Sequence, residues 1–304
     1  MHQLLSFAFR WLDNKSTPAH VGPNKIDWFR IFPFIAIHLA CFAVFWVGFS
    51  GFALSFAIGF YGLRIFAIGG FYHRYFSHNT FQTNRFWQFI FAILGMMAIQ
   101  RGPLWWAAHH REHHLVSDQP EDAHSPIQHG FWWSHMGWFL SKKYFHYNEQ
   151  RIKDFSKFPE LRFLDRFDAI VPICMALGIY LLGEFLHAAY PSLGTNGLQL
   201  FIWGFCISSI FVFHVTFTIN SLLHVVGKRS YPTDDTSRNN FILALLTFGE
   251  GWHNNHHFYP ACARQGFKWW QVDLTYYLLR MLQSIRVIKN LREPPAAIMK
   301  SLKA

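Results

Sequence analysis

Apolar residues in this chain gather into four long runs separated by polar, histidine-rich text. The first is Ile31 to Val47, "IFPFIAIHLACFAVFWV"; the others cover about residues 51–72, 167–186 and 198–220. Each approaches or exceeds the ~20 residues an α-helix needs to cross a hydrocarbon core of ~30 Å. A fifth run, Phe86 to Ile99, is too short to span comfortably and is expected at the interface or packed under the bundle. The first run starts too far from Met1, and is followed too closely by the second, to be a cleaved signal peptide. The pattern predicts an all-α integral membrane protein with four transmembrane helices.

Composition agrees. Only 14% of residues are charged and 52% are hydrophobic, against roughly 25% charged in an average soluble domain. The 27 basic residues are unevenly placed: 26 lie in the N-terminal, middle and C-terminal segments, and Arg64 alone lies inside a run. The links "GFSG" and "HAAYPSLGTNG" carry no Lys or Arg. The positive-inside rule then sets both termini and the long middle segment in the cytoplasm. A net charge of +10 on one face suits anionic lipid or an acidic electron carrier; a nucleic-acid partner is not expected. Three of the four cysteines, Cys41, Cys174 and Cys206, fall inside runs and behave as small hydrophobes. With Cys262 they form no C-x-x-C pair, so no disulfide framework or iron–sulfur site is expected.

The polar text carries the chemistry. "HREHH" (110–114) places His110, His113 and His114 at i, i+3 and i+4, one helical face. "HNNHH" repeats the spacing with His253, His256 and His257. Adjacent pairs such as 113/114 diverge by about 100° on a helix, enough to face two different ions. In "HRYFSH" (73–78), His73 and His78 stand about 140° apart on a straight helix, so His73 is expected to end the second span and His78 to sit in the following turn. "NSLLH" puts Asn220 and His224 on one face at the end of the fourth. Nine imidazoles are too many for one ion and enough for two. Imidazole suits iron, copper, zinc and nickel, and a pair of redox-active ions with open positions fits oxygen chemistry. Isolated histidines such as His38, His135, His146 and His214 are expected to be ordinary packed or hydrogen-bonded residues.

"HRYFSH", "HREHH" and "HNNHH" resemble the three histidine boxes of the membrane fatty-acid desaturases, in the form closest to the acyl-CoA Δ9 branch. The likeness extends through "GPLWWAAHHREHH", "SDQPEDAHSP", "GFWWSHMGW", "NSLLH" and "GEGWHNNHHFYP", over roughly residues 25 to 285. It implies one domain over 1–304, with four spans under a cytosolic cap (73–166 and 221–304) holding a di-iron centre. The implied ligands are His73, His78, His110, His113, His114, His224, His253, His256 and His257, with Asn220 acting through a water. It further implies molecular oxygen as co-substrate, a fatty acyl substrate, and a cis double bond as product. The text lacks an H-P-G-G haem motif, so a separate ferredoxin- or cytochrome-type donor with its reductase is expected. The compact ends point to a bacterial inner membrane rather than the endoplasmic reticulum.

An acyl chain needs a narrow channel. Counting back from His73 at 100° per residue, Gly59, Gly62 and Phe66 share its face. Small residues there leave room, with Tyr61 or Phe66 limiting depth; Arg64 is expected to point away and pair within the bundle or snorkel. Trp105, Trp106, His129 and Trp132 are candidates for the head-group region. Where animal acyl-CoA enzymes carry adjacent basic residues, this chain has Ile127, Gln128 and His129, so the acyl carrier stays open between CoA, lipid and carrier protein. Rival readings are a histidine-box hydroxylase or oxygenase and a non-catalytic membrane metal-binding protein.

Overall fold

The computed structural model describes residues 11–16, 24–295 and 298; the chain ends that the charge pattern assigns to the cytoplasm lie outside them. The described residues are helical, without a strand. Three helices are long and apolar enough to cross a membrane: α2 (Gly51–Ser77), α6 (Ile170–Ala189) and α7 (Gly197–His224). The first run forms α1 (Phe32–Val47), which is apolar but shorter, about 24 Å at 1.5 Å per residue. Between α2 and α6 lie α3 (Arg85–Met96), α4 (Pro103–Val116) and α5 (Pro159–Arg166). After α7 come α8 (Phe241–Leu246), α9 (His253–Phe258) and α10 (Leu274–Ser284).

Local chemistry sets several of these ends. The Ser50 hydroxyl accepts from Ala53 N–H to start α2, and Asn196 caps α7 through Gln199 N–H. Helix α4 begins with proline at its first position, and its free N–H groups at Leu104 and Trp105 donate to the Asp165 carboxylate at 3.0 and 2.8 Å. The expected boundary of the second span is corrected. It does not stop at Tyr72 with His73 as its end, because Ile68–Ser77 continue as a π-helix. Its wider turn closes i→i+5 hydrogen bonds, among them His78 N–H to His73 O at 3.2 Å.

Two apolar cores result. One lies within the bundle, around Ala53, Ile179, Leu200 and Phe205. The other surrounds the π end of α2 and takes in Phe71, Phe76, Phe91, Leu104, Leu164 and Leu279. The short α3 belongs to this second core, with Phe91 stacked on Phe71 at 4.0 Å between centroids. Arg64 is fully buried and pairs inside the bundle, donating to Ser209 Oγ at 2.8 Å and also to Ser208 Oγ.

Candidate metal centre

Four segments far apart in sequence deliver histidines to one place. The π end of α2 brings His73 and His78 to 4.9 Å between ring centroids, a meeting that an α-helix of the same five-residue spacing forbids. One face of α4 supplies His110, His113 and His114, α9 supplies His253, His256 and His257, and the last turn of α7 supplies His224. They sort into two clusters. His73, His78, His110, His114 and His256 form one; His113, His224, His253 and His257 form the other, and within each the ligand nitrogens lie within 4.8 Å of one another. The adjacent pairs 113/114 and 256/257 each divide between the clusters. The eight boxed histidines and His224 are thus brought together. Asn220 stands at the C-terminal end of the α-helical part of α7 beside them, its backbone oxygen accepting from Ser134 Oγ at 2.9 Å.

The electrostatics favour a cation. Four rings present Nδ1 to a carboxylate: His73 to Glu250, His113 to Asp122 at 3.0 Å, His224 to Asp118 at 3.1 Å, and His257 to Asp235 at 2.6 Å. A carboxylate holding the Nδ1 proton leaves Nε2 with its lone pair. Two of these nitrogens face a further imidazole: His73 Nε2 lies 2.9 Å from His256 Nε2, and His224 Nε2 lies 3.2 Å from His253 Nε2. The buried Nε2 of His257 has no hydrogen-bond partner. Burial above all, with neighbouring imidazoles adding to it, pushes His78, His110, His114, His253 and His256 well below the usual histidine range. They are neutral, which is the metal-binding form. Burial opposes ionisation of Asp118, Asp122 and Asp235, but their histidine partners outweigh it and hold all three below the ordinary carboxylate range. Glu250 is drawn down to about 2 against its burial by His73 and Arg74. Such a donor set fits two imidazole-preferring ions.

These carboxylates were the part that sequence reasoning missed. Glu250 and Glu112 are the acids nearest the boxes in sequence, yet Glu112 pairs with Arg151. Asp118 and Asp122 sit in the loop after the second box, four residues apart, and that spacing was the only available signal. His109 turns away to Tyr144 O at 3.1 Å. His124, assigned no role from sequence, is buried with its ring 4.3 Å from that of His113.

A cavity of about 1230 Å³ runs from the clusters into the bundle. His73, His110, His113, His253 and Glu250 line its head, and α1, α6 and α7 form its walls. Trp105 and Trp106 line it too. His129 instead meets Asp122 O at 2.8 Å, and Trp132 is 68% exposed. The four residues expected to shape a channel on α2 are not among its lining. Tyr61 donates to Leu246 O at 2.7 Å, Gly62 faces the Phe248 ring, and Phe66 packs on Gly70 and Phe71. Gly59 has open space beside it. The extrapolation at 100° per residue fails because the π stretch lies between them and His73.

Residues 50–284 match the family model for fatty acid desaturases. The chain is 35% identical over 272 residues to the icosanoyl-CoA 5-desaturase of Limnanthes douglasii, covering 88% of this chain and 72% of that one. It is also 35% identical over 274 residues to the sn-1 stearoyl-lipid 9-desaturase of Anabaena variabilis, covering 88% and 94%. The Delta-9 acyl-lipid desaturase 1 of Arabidopsis thaliana shares 33% over 278 residues, covering 89% and 85%.

Proposed function

The chain belongs to the fatty acid desaturase family, membrane oxidoreductases acting on acyl chains, and from that premise we propose that it inserts a cis double bond, at Δ9, into a saturated chain held in the cavity. The observation that carries this reading is the convergence of nine neutral or carboxylate-anchored imidazoles, in two clusters, at the head of an apolar cavity. In this proposal His73, His78, His110, His114 and His256 hold one iron and His113, His224, His253 and His257 the other, with Asn220 placing a water. Bound iron supplies oxygen-dependent attack on an unactivated methylene, chemistry that no side chain here possesses.

The protein's own residues do the rest. Glu250, Asp118, Asp122 and Asp235 fix ring tautomers and orientations. The apolar walls of α1, α6 and α7 exclude water and restrict the chain, and such restriction decides which carbon reacts. Electrons come from a separate ferredoxin- or cytochrome-type carrier and its reductase, which fits the basic surface charge. That same charge asymmetry supports four spans, counting α1, with the clusters and both termini in the cytoplasm. The residues of α1 and the Asp13–Arg166 and Asn14–Asp165 contacts support a single folding unit.

The test is fatty-acid analysis of cells expressing the chain with a donor, alongside metal analysis of the purified protein. A new monoene and two irons per chain are expected. A hydroxy acid would assign the sister chemistry, and one ion per chain would defeat the two-cluster reading.

A further inference from the structure

We propose that the two clusters are electrically unequal, so that an iron held by His113, His224, His253 and His257 is oxidised more readily, and reduced later, than one held by His73, His78, His110, His114 and His256. This rests on the two-iron reading of the site and concerns the order in which it takes up electrons from the carrier.

The first observation is where the carboxylates lie. Three of the four rings in the four-histidine cluster present Nδ1 to an acid: His113 to Asp122, His224 to Asp118 and His257 to Asp235. In the five-histidine cluster His73 alone does so, to Glu250. Among the described residues no carboxylate pairs with His78, His110, His114 or His256. An acid on the second nitrogen makes an imidazole a stronger donor and brings negative charge to the site.

The second observation is what surrounds those acids. Asp118, Asp122 and Asp235 are held by neutral donors. Ser125 Oγ and Thr236 Oγ1 donate to Asp118 at 2.6 and 2.7 Å, and Asp118 N–H donates to Asp122 at 2.9 Å. Thr233 Oγ1 and Ser237 N–H donate to Asp235 at 3.0 and 2.9 Å. Such donors hold a carboxylate in place and leave its charge standing. No Lys or Arg among the described residues pairs with these three; Arg229 bonds Thr233 and Arg238 the Gly227 carbonyl, both at the surface.

Glu250 is placed differently. The buried Arg74 guanidinium donates to Glu250 Oε1 and to Asp273 Oδ1, each at 2.9 Å. Arg74, Glu250 and Asp273 together carry one net negative charge, against three for Asp118, Asp122 and Asp235. A second guanidinium, Arg111, donates to Phe76 O and Ser77 O at 2.7 and 2.9 Å, just before His78. Its partner Asp154 has 41% of its side chain exposed, so water screens that acid. Asp122 and Asp235 are buried, and the Asp118 side chain is 6% exposed. Charges in such surroundings act through a low effective dielectric. The additional negative charge favours Fe(III) over Fe(II) and lowers the potential of the four-histidine site. An oxidised pair then takes its first electron at the five-histidine site and its second at the four-histidine site. Each electron comes from the reduced carrier and converts one Fe(III) to Fe(II).

The experiment uses full-length protein in nanodiscs, loaded anaerobically with isotopically enriched Fe(II) and titrated with ferricyanide. Mössbauer spectroscopy counts ferric and ferrous iron without turnover. Variants holding one iron are compared, because each lacks the repulsion of a second ion: His256→Ala keeps the four-histidine site and His253→Ala the five-histidine site. At a common potential the ferric-to-ferrous ratio in His256→Ala should exceed that in His253→Ala by about tenfold. An equal or smaller ratio overturns the proposal. In protein holding both irons, Asp235→Asn keeps the shape but not the charge and should draw the two oxidation steps together. Steps that stay put or move apart overturn the proposal, and this arm, with Asp118→Asn as its second variant, decides where a ligand deletion leaves no iron bound. Monoene formed by protein that fails these comparisons leaves the desaturase reading standing. The expected order in protein that forms no monoene supports the proposal and defeats that reading alone. One ion per chain removes the two-cluster reading and this inference with it.

Discussion

Nine histidines converge on the cavity head, while three others, His38, His214 and His135, form a chain of their own that links α1 to α7. In the chain, His38 Nδ1 donates to Phe34 O at 2.6 Å, and its Nε2 accepts from His214 Nε2 at 3.1 Å. His214 Nδ1 accepts from His135 Nε2 at 3.0 Å, and His135 Nδ1 meets Ser221 Oγ at 2.9 Å. Each ring there consumes the lone pair of the next, and no carboxylate takes part. In the clusters His73, His113, His224 and His257 give Nδ1 to carboxylates, and ring nitrogens of different histidines face one another at 2.9 and 3.2 Å. The same residue type thus yields a hydrogen-bonded strut in one place and a cation site in the other. The acids on His73, His113, His224 and His257, absent from the strut, mark the difference.

The largest effect that could break this contrast comes from His256, whose Nε2 lies within 3.0 Å of both His73 and His114. His256→Ala should lose one iron per chain and at least 100-fold in product formation, whereas His214→Ala should keep both irons by metal analysis. Equal iron loss in the two variants would erase the distinction. Asp122→Asn comes next. It keeps the shape but not the charge that anchors His113, so metal affinity should fall about 10–100-fold, read by competition with a chelator. Third, His214→Ala strands two ring nitrogens, at a cost of about 1–3 kcal/mol, seen as a lower Tm at constant iron content.

The smallest effect is a pH dependence. Burial, with His214 beside it, lowers His135 to about 4, against about 6.5 in the unfolded chain. Above pH 6.5 both states are neutral and the chain contributes fully. Below it the unfolded state takes up a proton that the folded state refuses, so stability falls as pH drops toward 4, by at most about 1.4 kcal/mol per pH unit. Replacing His135 by Gln should flatten that part of the Tm–pH curve; an unchanged slope would show that His135 does not titrate this way.

Much of the site was legible in one dimension. The i, i+3, i+4 spacing of His110, His113 and His114, and its repeat at His253, His256 and His257, specify a shared face whatever the fold. The divergence of adjacent pairs anticipated two clusters. His224 was marked by its place at the end of an apolar run with Asn220 on the same face, and entered the ligand set through the family resemblance. Asp118, Asp122 and Asp235 were not legible, because a carboxylate that bonds a ring 9, 106 or 22 residues away has no periodic relation to it. The channel residues on α2 were misplaced for a related reason: a face can be extrapolated only through unbroken α-helix, and Ile68–Ser77 are not α-helical.

From residue order alone came the membrane class, the sidedness suggested by charge, and the identity of the nine imidazoles, because hydropathy, charge and helical spacing are properties of each segment by itself. Tertiary structure alone decided how those imidazoles divide five and four, which acids hold some of them, that His38, His135 and His214 form a strut, and that α1, α6 and α7, rather than the α-helical part of α2, form the cavity walls. A helix's periodicity defines its faces relative to its own axis, but which faces meet depends on packing between segments distant in the chain.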